Sequence, residues 1–167
     1  ARDWRTSLHH GISCHTCVLR PKSIGNLTLG SADPVAPPRI NPNFLADKDD
    51  LNRLRKGVRI ANTVLAHERM AQHKLTALDR EFDMDDDELN HHLRNKTDTV
   101  YHPIGTCKMG QATDPMAVVD PTLKVIGLSG LRVVDASVFP NLIGGNTNAP
   151  TIMLAERASD MIKQDHR

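Results

Sequence analysis

His102, Asn148 and the Asp135-Ala136 pair are the residues of this sequence whose types and settings are suited to chemistry. A neutral imidazole titrates near pH ~6.5 and accepts a proton at physiological pH without prior activation, where a lysine would arrive already protonated. The plain alternative for His102 is a buried histidine bonded to backbone, the commoner state of a histidine taken at random. An asparagine cannot act as a base, but its amide can donate to an oxygen on which negative charge develops. Asn148 also stands directly before Ala149-Pro150-Thr151, where it would serve as a helix N-cap unless Thr147 takes that place. Asp135-Ala136 follow the run Leu131-Arg132-Val133-Val134, which read alone is a strand ending in a polar turn.

Other constellations carry less. Cys14 and Cys17 form a Cys-x-x-Cys pair around His15, the pattern of a zinc site or a redox dithiol. On a strand, residues three apart face opposite ways, and no second pair stands at ligand spacing, so no metal is expected. Ser137 with His102 and Asp135 does not make a hydrolase triad, because no Gly-x-Ser-x-Gly elbow is present. Cys107 reads as packing, and His9-His10 and His91-His92 as exposed pairs.

Several elements must position these groups. Leu51, Leu54, Val58, Ala61 and Leu65 recur at spacings of three and four, one face of a helix capped by Asp47 or Asp49. Asp85, Asp86 and Asp87 before Leu89 and Leu93, with Arg94 and Lys96 after, match the charge order a helix dipole favours. A final helix is expected from about Ala149 to Lys163. Ile12 to Arg20 and Ile24 to Leu29, separated by Arg20-Pro21-Lys22-Ser23, suggest a β-hairpin. Pro34, Pro37, Pro38 and Pro42 make Ser31 to Phe44 an extended loop.

At 167 residues the chain can bury a modest core. Lysine plus arginine number 21 against 20 aspartates and glutamates, a balance that points to no nucleic acid or anionic membrane partner. The longest apolar runs fall far short of the roughly 18 to 20 residues of a membrane-spanning helix. Three cysteines are too few for a disulfide scaffold, which favours a reducing, cytoplasmic setting, with peripheral membrane attachment left open. The chain starts with Ala1 and has the texture of a fragment.

Three segments, Tyr101 to Gly110, Gly130 to Pro140 and Gly145 to Thr151, together resemble the C-terminal signature of the glucose-methanol-choline family of flavin-dependent alcohol oxidoreductases. Cys17 to Ser23, Ser31 to Pro34 and Ile40 to Leu45 look like that family's substrate-domain segments, so the resemblance covers roughly residues 11 to 165. It implies an α+β fragment: a substrate-domain portion over 1–97, with an antiparallel sheet and helices, and a return over 98–167 that adds a strand and helix to a Rossmann-like FAD domain. It implies that His102 takes the hydroxyl proton of a primary alcohol while a hydride passes to flavin N5, with Asn148 as the second member of the catalytic pair. It places Asp135, Ala136, Asn148, Pro150 and Thr151 beside FAD. The Asn148 variant resembles choline-oxidising relatives, so choline-like, short aliphatic or aromatic alcohols head the substrate list. The family's Gly-x-Gly-x-x-Gly fingerprint is missing, so the partner implied is an N-terminal FAD-binding part, without which the chain is expected to bind FAD weakly and to be inactive. The opposing expectations are a stand-alone binding module that keeps the fold without catalysis, and a zinc protein using Cys14, Cys17 and histidines.

Overall fold

The structure, a computed structural model, describes residues 11–73 and 83–165. They form two compact units: residues up to Val18 with Leu45–Thr97, and Leu19–Phe44 with Asp98 onward. His9 and His10 lie outside the described residues.

In the first unit, α1 spans Lys48–Leu65, a single-turn α2 spans Glu68–Ala71, and α3 spans Asp86–Lys96. Asp47 caps α1 by accepting from the Asp49 amide at 2.8 Å. Asp85 begins α3 with a full capping box: its carboxylate accepts from the Asp87 and Glu88 amides, and the Glu88 carboxylate accepts from the Asp85 amide. The apolar stripe read from the sequence faces inward where the helices meet: Leu51 and Leu54 of α1, Leu89 and Leu93 of α3 and Leu45 are buried together, with Val18, Val58 and Met84 against them. Around this cluster Arg55 reaches Asp86 at 3.4 Å, and Arg94 donates to the Leu45 carbonyl at 3.1 Å.

That cluster also accounts for the first correction. Residues 11–18 form no strand, and the expected hairpin with Ile24–Leu29 does not exist, because Val18 is packed against the helices of the first unit. The strand β1, Asn26–Thr28, instead pairs antiparallel with β2, Arg39–Asn41, inside the stretch expected to be loop. The prolines shape the connection: a turn held by the Asp33 carboxylate on the Val35 amide, with Pro34, Pro37 and Pro38 around it, brings Arg39 back beside Thr28. At the open end of this ribbon a Cβ on Gly25 would come within 2.1 Å of the Asn41 carbonyl, so the approach admits only glycine. With no strand at Cys14–Cys17, the opposite-faces argument against joint ligation loses its premise. Both cysteines are exposed thiols, and among the described residues no cluster of metal-ligating side chains forms.

In the second unit, Val119, Leu123, Val138, Phe139, Leu154 and Ala158 make the core, and Ile104, Cys107, Met109, Val133 and Val134 pack on it. Its long helix α4 spans Asn148–Asp165. Leu131–Val134 is not the strand expected: only Arg132 bridges, to Lys124, and the chain passes at Asp135 into a 3-10 turn over Ala136–Val138. The reason is local. Leu123, Gly127 and Gly130 all adopt positive φ, folding 123–131 into a tight loop whose two sides share only the bonds Val125 amide to Leu131 carbonyl and Val133 amide to Leu123 carbonyl. The described chain is thus α+β, with helices and one small two-stranded antiparallel sheet. Among the described residues no helix is long and apolar enough to cross a membrane.

Candidate active site

Three sequence-distant segments of the second unit build the site: two meet at one imidazole, and another braces the first of them. The first, Tyr101–Gly110, is stitched to the 3-10 turn by the Cys107 amide on the Ser137 carbonyl at 3.0 Å and the Met109 amide on the Val138 carbonyl at 2.8 Å. Tyr101 adopts φ of 63, unusual for a bulky aromatic residue, and its amide donates to the Thr99 hydroxyl at 2.9 Å, so the backbone is sharply redirected just before His102.

His102 then lies against the third segment. Its Nε2 is 3.1 Å from Asn146 Oδ1, and its Nδ1 is 3.0 Å from Thr147 Oγ1. A carboxamide oxygen only accepts, so in this arrangement Nε2 carries hydrogen and donates, while the Thr147 hydroxyl donates to a bare Nδ1 or accepts from an Nδ1 that carries hydrogen. Thr147 is buried at 7% exposure, while Asn146 is exposed. Nδ1 therefore meets a buried side chain, and Nε2 an exposed one that solvent or a ligand can displace.

The segment folds this way because α4 starts there. Thr151 is the first residue whose amide bonds back along the helix, to the Thr147 carbonyl at 3.0 Å, and its hydroxyl reaches the same oxygen at 2.7 Å. Asn148 is the first helical residue and, like Ala149, is exposed; Pro150, with no amide hydrogen, and Thr151 are half-buried. The amides at Asn148 and Ala149 have no partner within the helix and sit at its positive end. Asp135 is exposed, and its carboxylate accepts from the Ser137 amide at 2.7 Å, which orients the 3-10 turn and leaves Ala136 half-buried above the core. Beside Gly144, where an added Cβ would lie 3.1 Å from the Arg20 guanidinium, Arg20, Pro21 and Asn141–Gly144 line a cleft of ≈ 450 Å³.

The geometry thus gathers His102 with Asn146 and Thr147, and it puts Asn148, Pro150 and Thr151 in the adjoining first turn of α4. Asn146 and Thr147 are the two contacts that reading the sequence missed. Two asparagines flanking one threonine offered equal candidates, and only the helix start determines which of them turns toward the ring.

Residues 21–155 match the family profile described as GMC oxidoreductase. An alcohol dehydrogenase [acceptor] of Pseudomonas putida is 44% identical over 159 residues, covering 95% of this chain and 28% of that protein. The mitochondrial choline dehydrogenase of Homo sapiens is 44% identical over 150 residues, covering 89% of this chain and 25% of that protein. Among solved structures, formate oxidase of Aspergillus oryzae RIB40, studied for the effect of a mutation on FAD modification, superposes with a TM-score of 0.77 at 33% identity over 89% of this chain and 26% of its own. The chain accordingly spans between a quarter and a third of the length of these relatives. On the profile match and the shared fold together, the chain belongs to the GMC oxidoreductase family.

Proposed function

We propose that this chain is the portion of a FAD-dependent oxidoreductase that carries the base for oxidising a primary alcohol, choline-like, aliphatic or aromatic, to an aldehyde. The observation that carries the reading is the imidazole of His102, held at both nitrogens by the residues that begin α4 and open to solvent on its Nε2 side. FAD, when bound, supplies the hydride acceptor. The exposed, positively polarised first turn of α4 fits a group with negative character, so Asn148, Pro150 and Thr151 would face the flavin, and Asp135-Ala136 would approach it through the backbone.

The chain's own part in the chemistry is proton management. In the tautomer with hydrogen on Nδ1, Nε2 has a lone pair, and an alcohol that takes the place of Asn146 there gives its hydroxyl hydrogen to the ring as its carbon gives up a hydride. Asn148 donates to the same oxygen as charge develops there and, lacking a lone pair basic enough, leaves His102 as the base. Residues 1–97 serve the substrate side, and 98–167 join a Rossmann-like flavin domain supplied by an N-terminal part of the protein. The human choline dehydrogenase supports an alcohol of the choline class, and the Pseudomonas putida alcohol dehydrogenase supports an alcohol in general.

The test is His102→Ala in the flavin-loaded protein. Stopped-flow reduction of the flavin by alcohol should slow about a hundredfold or more with flavin content unchanged. An unaltered rate removes His102 from the mechanism.

A further inference from the structure

Thr147 occupies the place where a helix ordinarily takes its N-cap, yet its hydroxyl points to His102 Nδ1 at 3.0 Å. It is one of two buried polar residues among those described, with 7% exposure. Nδ1, facing this buried side chain, calls for a partner in every state of the ring, as a lone pair in one neutral tautomer and as N–H in the other and in the cation. A hydroxyl is donor and acceptor on a single atom with a rotating hydrogen, so it satisfies all three states with no heavy atom moving. A carboxylate could only accept, and an amide would have to flip. On the other side of the ring the exposed Asn146 is free to give way.

We propose that Thr147 is a positioning residue for His102, whose buried hydroxyl holds Nδ1 through each protonation state so that Nε2 alone exchanges Asn146 for the alcohol. The proposal rests on the reading of His102 as the base. Accepting a proton at Nε2 requires the tautomer with hydrogen on Nδ1, which the ring reaches by giving its Nε2 hydrogen to solvent as Nδ1 takes one up, and in which Thr147 Oγ1 accepts where it donates in the resting arrangement. The alcohol O–H bond then breaks as an Nε2–H bond forms, and the ring keeps the proton, while FAD, when bound, would take up the hydride that balances charge and electrons. Returning to rest releases one ring hydrogen to solvent.

The test compares Thr147→Val and Thr147→Ser in the flavin-loaded protein. Valine keeps the branched shape and deletes the hydroxyl, while serine keeps the hydroxyl. The proposal expects flavin reduction at saturating alcohol to fall about tenfold or more in T147V with KM little changed, the Nδ1 nitrogen resonance of His102 to move, and T147S to restore both. A role confined to starting α4 would lower Tm in T147V and leave that resonance in place, which overturns the proposal. Should valine prevent folding, Thr147→Ala read by the same resonance decides it. If the resonance moves but the rate of flavin reduction does not, the contact stands and the assignment of His102 as base falls instead.

Discussion

The two ring nitrogens of His102 have unlike surroundings, and that asymmetry gives the proposed site a direction. Nδ1 meets the buried Thr147 and Nε2 the exposed Asn146, so the proposed reaction uses the second side. Asn148 lies two residues further along, at the exposed start of α4, and in the proposed reaction its carboxamide and the helix's first amides act together on developing negative charge. Asn148→Ala should therefore lower the rate of flavin reduction by about a hundredfold, in line with loss of one preorganised donor, while alcohol binding changes less. Rapid-mixing kinetics at saturating alcohol check this, and an effect confined to KM would remove Asn148 from the reacting oxygen. Cys107 lies on the core side of the same segment, packed beneath its backbone, and belongs to the scaffold.

The helices follow local rules that a short stretch of chain can satisfy alone. The α3 start shows this: Asp85 accepts from two amides at 2.9 Å each and receives Glu88 in return, so four neighbouring residues close their own bonds. Asp85→Ala should cost about 1 kcal/mol of first-unit stability, measured by urea denaturation at neutral pH, because two amides lose their acceptor. A variant of wild-type stability would mean that solvent serves these amides equally well. Strands obey no such local rule. Residues 12–20 and 131–134 both carry apolar, β-prone sequence, but neither becomes a strand, one because Val18 is held by the helical cluster and the other because its loop is too tight for more than one bridge. Arg39–Asn41, between prolines, becomes a strand because a turn at Asp33 returns it to Asn26–Thr28.

The second unit is closed at its periphery by carboxylates. Asp165, at the end of α4, pairs with Lys124 at 2.7 Å and with Arg132, and the hydrogen bond from Lys124 leads the causes that hold its pKa below the usual value of 3.8. Asp114 is lowered too, chiefly by its hydrogen bond with Lys108, which lies 2.6 Å away. Carboxyls with a depressed folded pKa stabilise fully above their ordinary range, and that contribution disappears as pH falls through the depressed values. Thermal unfolding of the second unit should thus shift to lower temperature as pH drops from about 5 toward 3, and D114N/D165N should show a flatter pH dependence. Equal slopes for both proteins would mean that these pairs are too solvated to matter. Helices α1, α3 and α4, the aspartate caps of the first two, and the three motif segments were legible in the chain because each depends on neighbours within a few residues, whereas the single turn of α2 has too few residues to show a period. The pairing of β1 with β2 and the contacts of Asn146 and Thr147 with the imidazole join residues more than ten apart, and Leu131–Val134 is turned aside by a loop whose positive-φ positions the apolar pattern does not reveal, so these features exist only in the folded chain.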